Sequence, residues 1–491
     1  MHPIVAERKT QTVAASHAVP TSLVDVMAAR CQDSYDRPAC SDPLGGGQAI
    51  SWGHLLQRAN DIAAALAAAG LTPGDRLAHV GPHSIDWIAI DVACLLSGVV
   101  HVALHADSGQ QELAEQCDWL GMRKVVASGG AARPAHVRGT TEISLPPWRA
   151  AAEPVDREAV QMQLAGHAAA CDPDAPATIV LSSGTTGRPK GIVHCQRALV
   201  SNALASAEVF LDEPHDVRLA WLPMSHVLAR VGDLYTALVR GGCLSVVSNR
   251  LQVLDACRLA APTVILGVPA LFERIERGVA AGRISDLAAA LGGRVRVCVS
   301  GGAPLRQRTA ACFAAHGVPL VEGYGLAEVG PVVALSNPRI NRPGAVGLPL
   351  PGVEVRLDER PESRGQLLVR TPCRAVAVIE PADDGGRETR CAADAWLETG
   401  DTAAFDADGQ LRITGRLADT IVLATGMKVP PAEIEKALAE DEAVAQVCVV
   451  GDGCPWPVAV IVPEPAVIRA AIKRMRVRVF SKRAALAHPR V

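Results

Sequence analysis

The run Thr178-Ile179-Val180-Leu181 leads into Ser182-Ser183-Gly184-Thr185-Thr186-Gly187-Arg188-Pro189-Lys190-Gly191. The first four residues read as a buried strand and the next ten as a loop built for anions. The hydroxyls of Ser182, Ser183, Thr185 and Thr186 and the unencumbered amides of Gly184 and Gly187 can wrap phosphate oxygens, and Lys190 adds a point charge where a polyphosphate needs compensation. A Walker loop is the obvious competitor, but Lys190 follows a proline and precedes a glycine, so that spacing is not met. A polar surface turn would use the same residue types.

Outward from this loop, helical and strand patterns alternate. His54 to Ala69 reads as an amphipathic helix closed by Gly70, and Thr72-Pro73-Gly74-Asp75 turns the chain into a strand over Arg76 to Val80. Short apolar runs recur at Leu244 to Val247, Val264 to Leu266 and Val295 to Val299. This rhythm predicts an α/β fold of layered, mainly parallel sheets. From about Asn341 short strands and turns take over, at Glu354 to Leu357, Gln366 to Arg370 and around Asp408-Gly409, which predicts a β-rich subdomain over about 341–416. A boundary near Gly415 to Thr420 then separates a large domain, 1–416, from a small α+β domain, 417–491, whose helix starts at Val429-Pro430-Pro431.

The 491 residues suit one large and one small domain, and a net charge of −3 offers no overall field for nucleic acid or anionic lipid. The 14 cysteines show neither C-x-x-C nor zinc spacing, which favours a reducing, cytoplasmic setting. Residues after Met1 lack the apolar run of a secretory signal. The most lipid-like stretch, Ile85 to Ala106, carries Asp86, Asp91, His101 and His105 and reads as a buried helix followed by a strand, so no transmembrane segment is expected, and peripheral membrane contact stays open.

Further segments stand in order after the loop: Ser300-Gly301-Gly302-Ala303-Pro304-Leu305, Glu322-Gly323-Tyr324-Gly325-Leu326-Ala327-Glu328, Trp396-Leu397-Glu398-Thr399-Gly400-Asp401 and Gly415-Arg416-Leu417-Ala418-Asp419. Together with the loop they resemble the motifs of the acyl-adenylate-forming family of acyl-CoA synthetases, luciferases and peptide-synthetase adenylation domains. Leu222-Pro223-Met224-Ser225-His226 and Val268-Pro269-Ala270-Leu271-Phe272 most resemble its long-chain fatty-acid branch. The resemblance implies that ATP binds at Ser182 to Gly187 with Lys190, at Gly301 to Pro304, at Glu322 to Gly325, at Asp401 on the ribose and at Arg416. Glu328 is then the Mg²⁺ residue, with Thr185 as a second candidate, and His226 lines the acyl site. Lys190, Glu328 and His226 are thus the catalytic candidates. The implied reaction joins a carboxylic acid, a fatty acid, to AMP and passes the acyl group to coenzyme A.

Three features depart from the family pattern. Ala327 stands where threonine is usual, Ala418 stands where the hinge usually has Asp or Lys, and neither Lys473 nor Lys482 fits the C-terminal lysine segment, so a truncated C-terminal domain and slow adenylation are expected. A non-catalytic ATP- or acyl-binding relative is the alternative that the truncation favours, whereas the intact phosphate loop, Glu328, Asp401 and Arg416 favour the enzyme. A small-molecule kinase is a third reading, which predicts ADP as product.

Overall fold

The computed structural model describes residues 19–46, 49–128, 140–148, 155–183, 189–361, 363–383, 385–425 and 427–475. Gly184, Thr185, Thr186 and Gly187 therefore lie outside the described residues, as does Lys482.

Among the described residues two large sheets organise the chain. The first has nine strands, in spatial order Leu348–Pro349, Val332–Leu335, Leu320–Gly325, Val297–Ser300, Val264–Gly267, Val217–Ala220, Cys243–Val246, Pro38–Ser41 and Ala49–Ser51. Pairing is parallel from Leu320–Gly325 to Pro38–Ser41 and antiparallel at both ends. The second has eight, in the order Gly385–Arg390, Ala377–Ala382, Pro189–Cys195, Pro176–Ser183, Val100–Leu104, Arg76–Val80, Lys124–Ala127 and Thr141–Glu142.

Alternation along the strands gives the second sheet two different faces. Ala78, Val80, Val102, Leu104, Ile179, Leu181 and Val193 pack on one side with Leu113 and Cys117 of helix Gln110–Trp119, forming an outer core. Leu77, Ala103 and Val180 point the other way into a core shared with the first sheet and with helices Trp52–Ala68 and Ile85–Ser97. Every residue from Trp87 to Leu96 is buried, as a helix between two layers requires. Ser84 caps that helix by accepting from the Trp87 N–H, and Gly98, at φ 70°, closes it before Val100–Leu104. The lipid-like stretch is thus an interior helix and strand, and no described helix is long and apolar enough to cross a membrane.

The strand-rich region after Asn341 divides. Glu354–Leu357, Gln366–Arg370, Leu397–Phe405 and Leu411–Arg416 form a four-stranded antiparallel sheet, but Leu348–Pro349 belongs to the first large sheet and Ala377–Ala382 with Gly385–Arg390 to the second. The reason is apolar register: Ala377 and Ile379 pair opposite Val193 and Gly191 and bury in the outer core. Beyond Arg416, helix Pro431–Ala439 and the hairpin Val444–Val450 with Val458–Pro463 gather a small separate cluster of Ile421, Leu423 and Val449.

Candidate functional site

The Ser/Gly-rich loop joins two antiparallel strands, with Ser182 opposite Lys190 and Ser183 opposite Pro189. A Walker loop runs from strand to helix, so this hairpin removes that competitor on geometry as well as on spacing. Lys190 Nζ lies 2.7 Å from Glu380 Oε1 on the neighbouring strand, and this contact holds the Glu380 carboxyl below its ordinary range. Both partners are partly exposed, so the pair is worth at most about 1 kcal/mol and a phosphate can displace Glu380 at little cost.

Across the cleft the first large sheet presents a wall without side chains. Gly301 donates its N–H to Gly267 O, Gly302 sits at φ 81°, and Ala303 and Pro304 follow exposed on the surface. A Cβ on Gly323 would lie 2.8 Å from Leu335 Cδ1, and one on Gly325 would collide with the Pro331 carbonyl. Backbone approach therefore excludes larger residues at Gly325, whereas at Gly323 only the tip of the Leu335 side chain would have to move. The Glu322 carboxylate accepts from the Gly344 N–H at 2.9 Å and also from the Leu305 N–H, just past Gly301 to Pro304, and burial raises its pKa. It ties the 342–344 turn to the wall.

Three of the expected residues meet beside this wall. Tyr324 Oη donates to Asp401 Oδ2 at 2.6 Å, and Arg416 Nε lies 3.2 Å from Asp401 Oδ1. Sheet register brings the last two together, because Asp401 and Arg416 are opposite partners on antiparallel strands. The Asp401 N–H is fixed by Thr399 Oγ1. Burial and the Asp401 carboxylate push the Tyr324 phenol well above its ordinary pKa, so it stays a donor. Asp401 is buried while the Arg416 side chain is 58% exposed, which leaves the guanidinium free to swing toward a ligand.

Glu328 occupies the short turn Ala327–Val329, half-buried, with its backbone carbonyl accepting from the Ala375 N–H. No described residue bonds its carboxylate. Among the described residues no group of three His, Cys, Asp or Glu side chains could hold a metal ion, so any ion here would need ligand oxygens as well.

His226 stands where cavities meet. A cleft of about 560 Å³ is bounded by Ser182, Pro189, His226, Val268 and Ala327, and a polar cavity of about 370 Å³ continues past the shared His105, Glu112 and His226 to His83, Ser225 and Arg250. A smaller apolar cavity of about 130 Å³, sharing Val227, Leu228 and Ala327 with the cleft, extends along Gly301, Gly302 and Gly323 to Gly325. The His226 and His105 rings lie 4.8 Å apart, and burial together with His105 and Arg250 lowers the His226 pKa. The imidazole is thus neutral near pH 7.

Sequence reasoning gave no site role to Glu380, to His105 or to the buried Arg230, which it met only within the run Arg230 to Tyr235 that follows the His226 segment. Glu380 and His105 come to the site by sheet pairing and cavity geometry. Arg230, a cation four residues beyond His226 in an apolar surrounding, was the available signal.

Comparison with known proteins fits this arrangement. The AMP-binding enzyme family matches residues 27–377, and the AMP-binding enzyme C-terminal domain matches 418–481. A long-chain-fatty-acid–CoA ligase of Mycobacterium bovis is 31% identical over 83% of this chain and 77% of its own length. A fatty acid–[acyl-carrier-protein] ligase of Streptomyces coeruleorubidus is 29% identical, covering 89% of this chain and 84% of its own. The ATP-bound structure of MatB from Rhodopseudomonas palustris superposes with a TM-score of 0.71 at 26% identity, covering 90% of this chain and 89% of that one. With the family model matching residues 27–377 and most of the chain aligned to these relatives, the chain belongs to the AMP-binding enzyme family of adenylate-forming ligases.

Proposed function

We propose that the protein is an AMP-forming acid–thiol ligase that activates a fatty acid with ATP and transfers the acyl group to coenzyme A. The observation that carries this reading is the convergence of Tyr324, Asp401 and Arg416 beside a glycine wall that opens into an apolar cavity. A carboxylate such as Asp401 accepts hydrogen bonds from two vicinal ribose hydroxyls, and the glycines let a flat base lie against the backbone. The two fatty-acid ligases among the relatives support the choice of acid.

In the first step an oxygen of the acid attacks the α-phosphorus of ATP and the bond to pyrophosphate breaks. Lys190 exchanges Glu380 for phosphate oxygens and meets the charge that develops there, while residues 182–187 hold the polyphosphate. Mg²⁺, when bound, neutralises phosphate charge, and the single carboxylate of Glu328 suits an ion that takes its other ligands from phosphate and water. In the second step the thiol sulfur attacks the acyl carbonyl, AMP departs, and the thiol proton goes to solvent or phosphate. The polar cavity beyond His226 gives the acceptor arm a route to that carbonyl. Residues 1–416 serve as the nucleotide-binding domain, and 417–491 turn about Gly415 to Thr420 between the two steps.

The test incubates the protein with ATP, Mg²⁺ and acids of short, medium and long chain or aromatic type, with coenzyme A or a carrier protein as acceptor. AMP and pyrophosphate should form, fastest with long-chain acids. ADP as the only nucleotide product would overturn the reading.

A further inference from the structure

The inner face of the second large sheet carries polar side chains where alternation predicts apolar ones. His79, His101, Thr178 and His194, on four neighbouring strands, are fully buried in a row. Asp91 from helix Ile85–Ser97 and Arg230 and Tyr235 from the π-turn Arg230–Tyr235 pack near this row and are equally buried. His101 Nδ1 lies 2.6 Å from Asp91 Oδ1, Tyr235 Oη donates to Asp91 Oδ2 at 2.9 Å, and His79 bridges His101 to Ser128. Arg230 Nε donates to Met224 O at 3.1 Å and lies 3.8 Å from Asp91 Oδ1, while one terminal nitrogen donates to Thr178 Oγ1. Thr178 in turn donates to His101 O, which leaves its oxygen free to accept. The Trp87 ring covers the guanidinium at 5.0 Å.

Stability alone does not account for an ion pair at this depth, because well-packed apolar residues in its place are often neutral or stabilising. Its attachments point elsewhere. Thr178 lies four residues before Ser182 on the strand that enters the Ser/Gly loop, and Met224 lies two residues before His226. We propose that Arg230 is a positioning residue for adenylation: its guanidinium fork fixes the spacing between the phosphate-loop strand and the turn that presents His226. The inference rests on the adenylating reading above. A carboxylate in the cleft must meet the α-phosphorus in line, and misplacement by about 1 Å costs on the order of 10²-fold in rate.

The test measures acid-dependent ATP–pyrophosphate exchange, ATP affinity and thermal unfolding for Arg230→Lys, for the paired Arg230→Met/Asp91→Asn, and for Thr178→Val against Thr178→Ser. Lysine keeps the charge without the fork, and the pair leaves no lone buried charge if the lysine variant fails to fold. Folded Arg230 variants should bind ATP within about threefold of wild type yet lose about 10²-fold in kcat. Thr178→Val should lose about tenfold, and Thr178→Ser should restore the rate. Folded variants with wild-type kcat would overturn the proposal, as would ATP affinity falling in step with kcat. Absence of exchange in the wild-type protein with every acid would instead remove the adenylating reading and this proposal with it.

Discussion

The molecule carries two polar assemblies of opposite character. In the rear one, against the inner face of the second large sheet, Asp91, His101, Thr178, Arg230 and Tyr235 are wholly buried and mutually bonded. In the front one, the segment after Arg416 touches residues 306–308 through polar contacts: Glu440 accepts from the N–H groups of Gln307 and Arg308 at 2.8 and 3.1 Å, and Arg306 donates to Ala445 O. Buried polar groups lose several kcal/mol if their partners leave, so the rear assembly has one arrangement. The front contacts can trade protein for water at about 1 kcal/mol each. One assembly is built to hold distances and the other to be released.

The largest effects should come from Lys190 and Glu328, the charges next to the cleft residues Pro189 and Ala327. Lys190→Ala and Glu328→Gln should each lower kcat/KM for pyrophosphate exchange by about 10²- to 10³-fold, with unfolding temperature nearly unchanged. Turnover and calorimetry on the same preparations check this, and equal losses in activity and stability would place both residues in the rigid frame instead. Asp401→Ala comes next. Removing hydrogen bonds to a charged acceptor costs about 1.5–3 kcal/mol, so KM for ATP should rise roughly 10- to 100-fold, with Tyr324→Phe showing a smaller rise. If both variants bound ATP like the wild type, the ribose would lie elsewhere.

A smaller effect tests the buried polar groups around the rear assembly through pH. Burial lowers the His194 pKa to about 4, while an unfolded histidine titrates near 6.5. Between these values the unfolded chain binds the extra proton, so the stability contributed by neutral His194 is complete above about pH 6.5 and declines as pH falls toward 4. Asp233 runs the other way: burial lifts its carboxyl to about 7 despite Arg218, so its contribution declines as pH rises from about 4 toward 7. The readout is therefore the difference between wild type and His194→Phe in urea unfolding at pH 7 and 5. The variant should lose less stability on acidification, and parallel losses would show that His194 carries its proton in the folded protein.

These contrasts explain what the sequence reveals. Strands with strong local patterns, such as Arg76–Val80, Glu354–Leu357 and Gln366–Arg370, are legible to the residue because turns and alternation bound them. The destination of Ala377–Ala382 is not, since sheet membership depends on pairing with Val193, nearly two hundred residues away, and no local signal encodes it. At the site, Tyr324, Asp401 and Arg416 are legible because each stands in a quotable motif. Glu322 stands in one too, but the bond of its carboxylate to the Gly344 N–H is not legible there, for a motif fixes a residue's place in the chain and not the direction of its side chain. The buried row was visible only as charges interrupting apolar runs, at Asp91 and His101, and their common partner Arg230 is joined to them by tertiary packing alone.

The smallest expected effect is the most informative about the front contact. Glu440 places both carboxylate oxygens on the first N–H groups of helix Gln307–Ala315, which begins just beyond Gly301 to Pro304. An acid at a helix N-terminus gains from both hydrogen bonds and the helix dipole, about 0.5–2 kcal/mol in all. Glu440→Gln keeps the shape but loses the charge and one acceptor oxygen, so about 1 kcal/mol should be lost from this one docking geometry. If the small domain exchanges orientations between the two steps, that loss shifts the balance about fivefold, since 1.4 kcal/mol corresponds to tenfold. Pyrophosphate exchange and thioester formation from supplied acyl-adenylate should then change a few-fold in opposite directions. Raised salt should move the wild type the same way, because the contact is partly exposed, while leaving the rear assembly untouched. Both steps changing together, or neither changing, would mean that Glu440 stabilises a fixed interface and that release must come from elsewhere around Gly415 to Thr420.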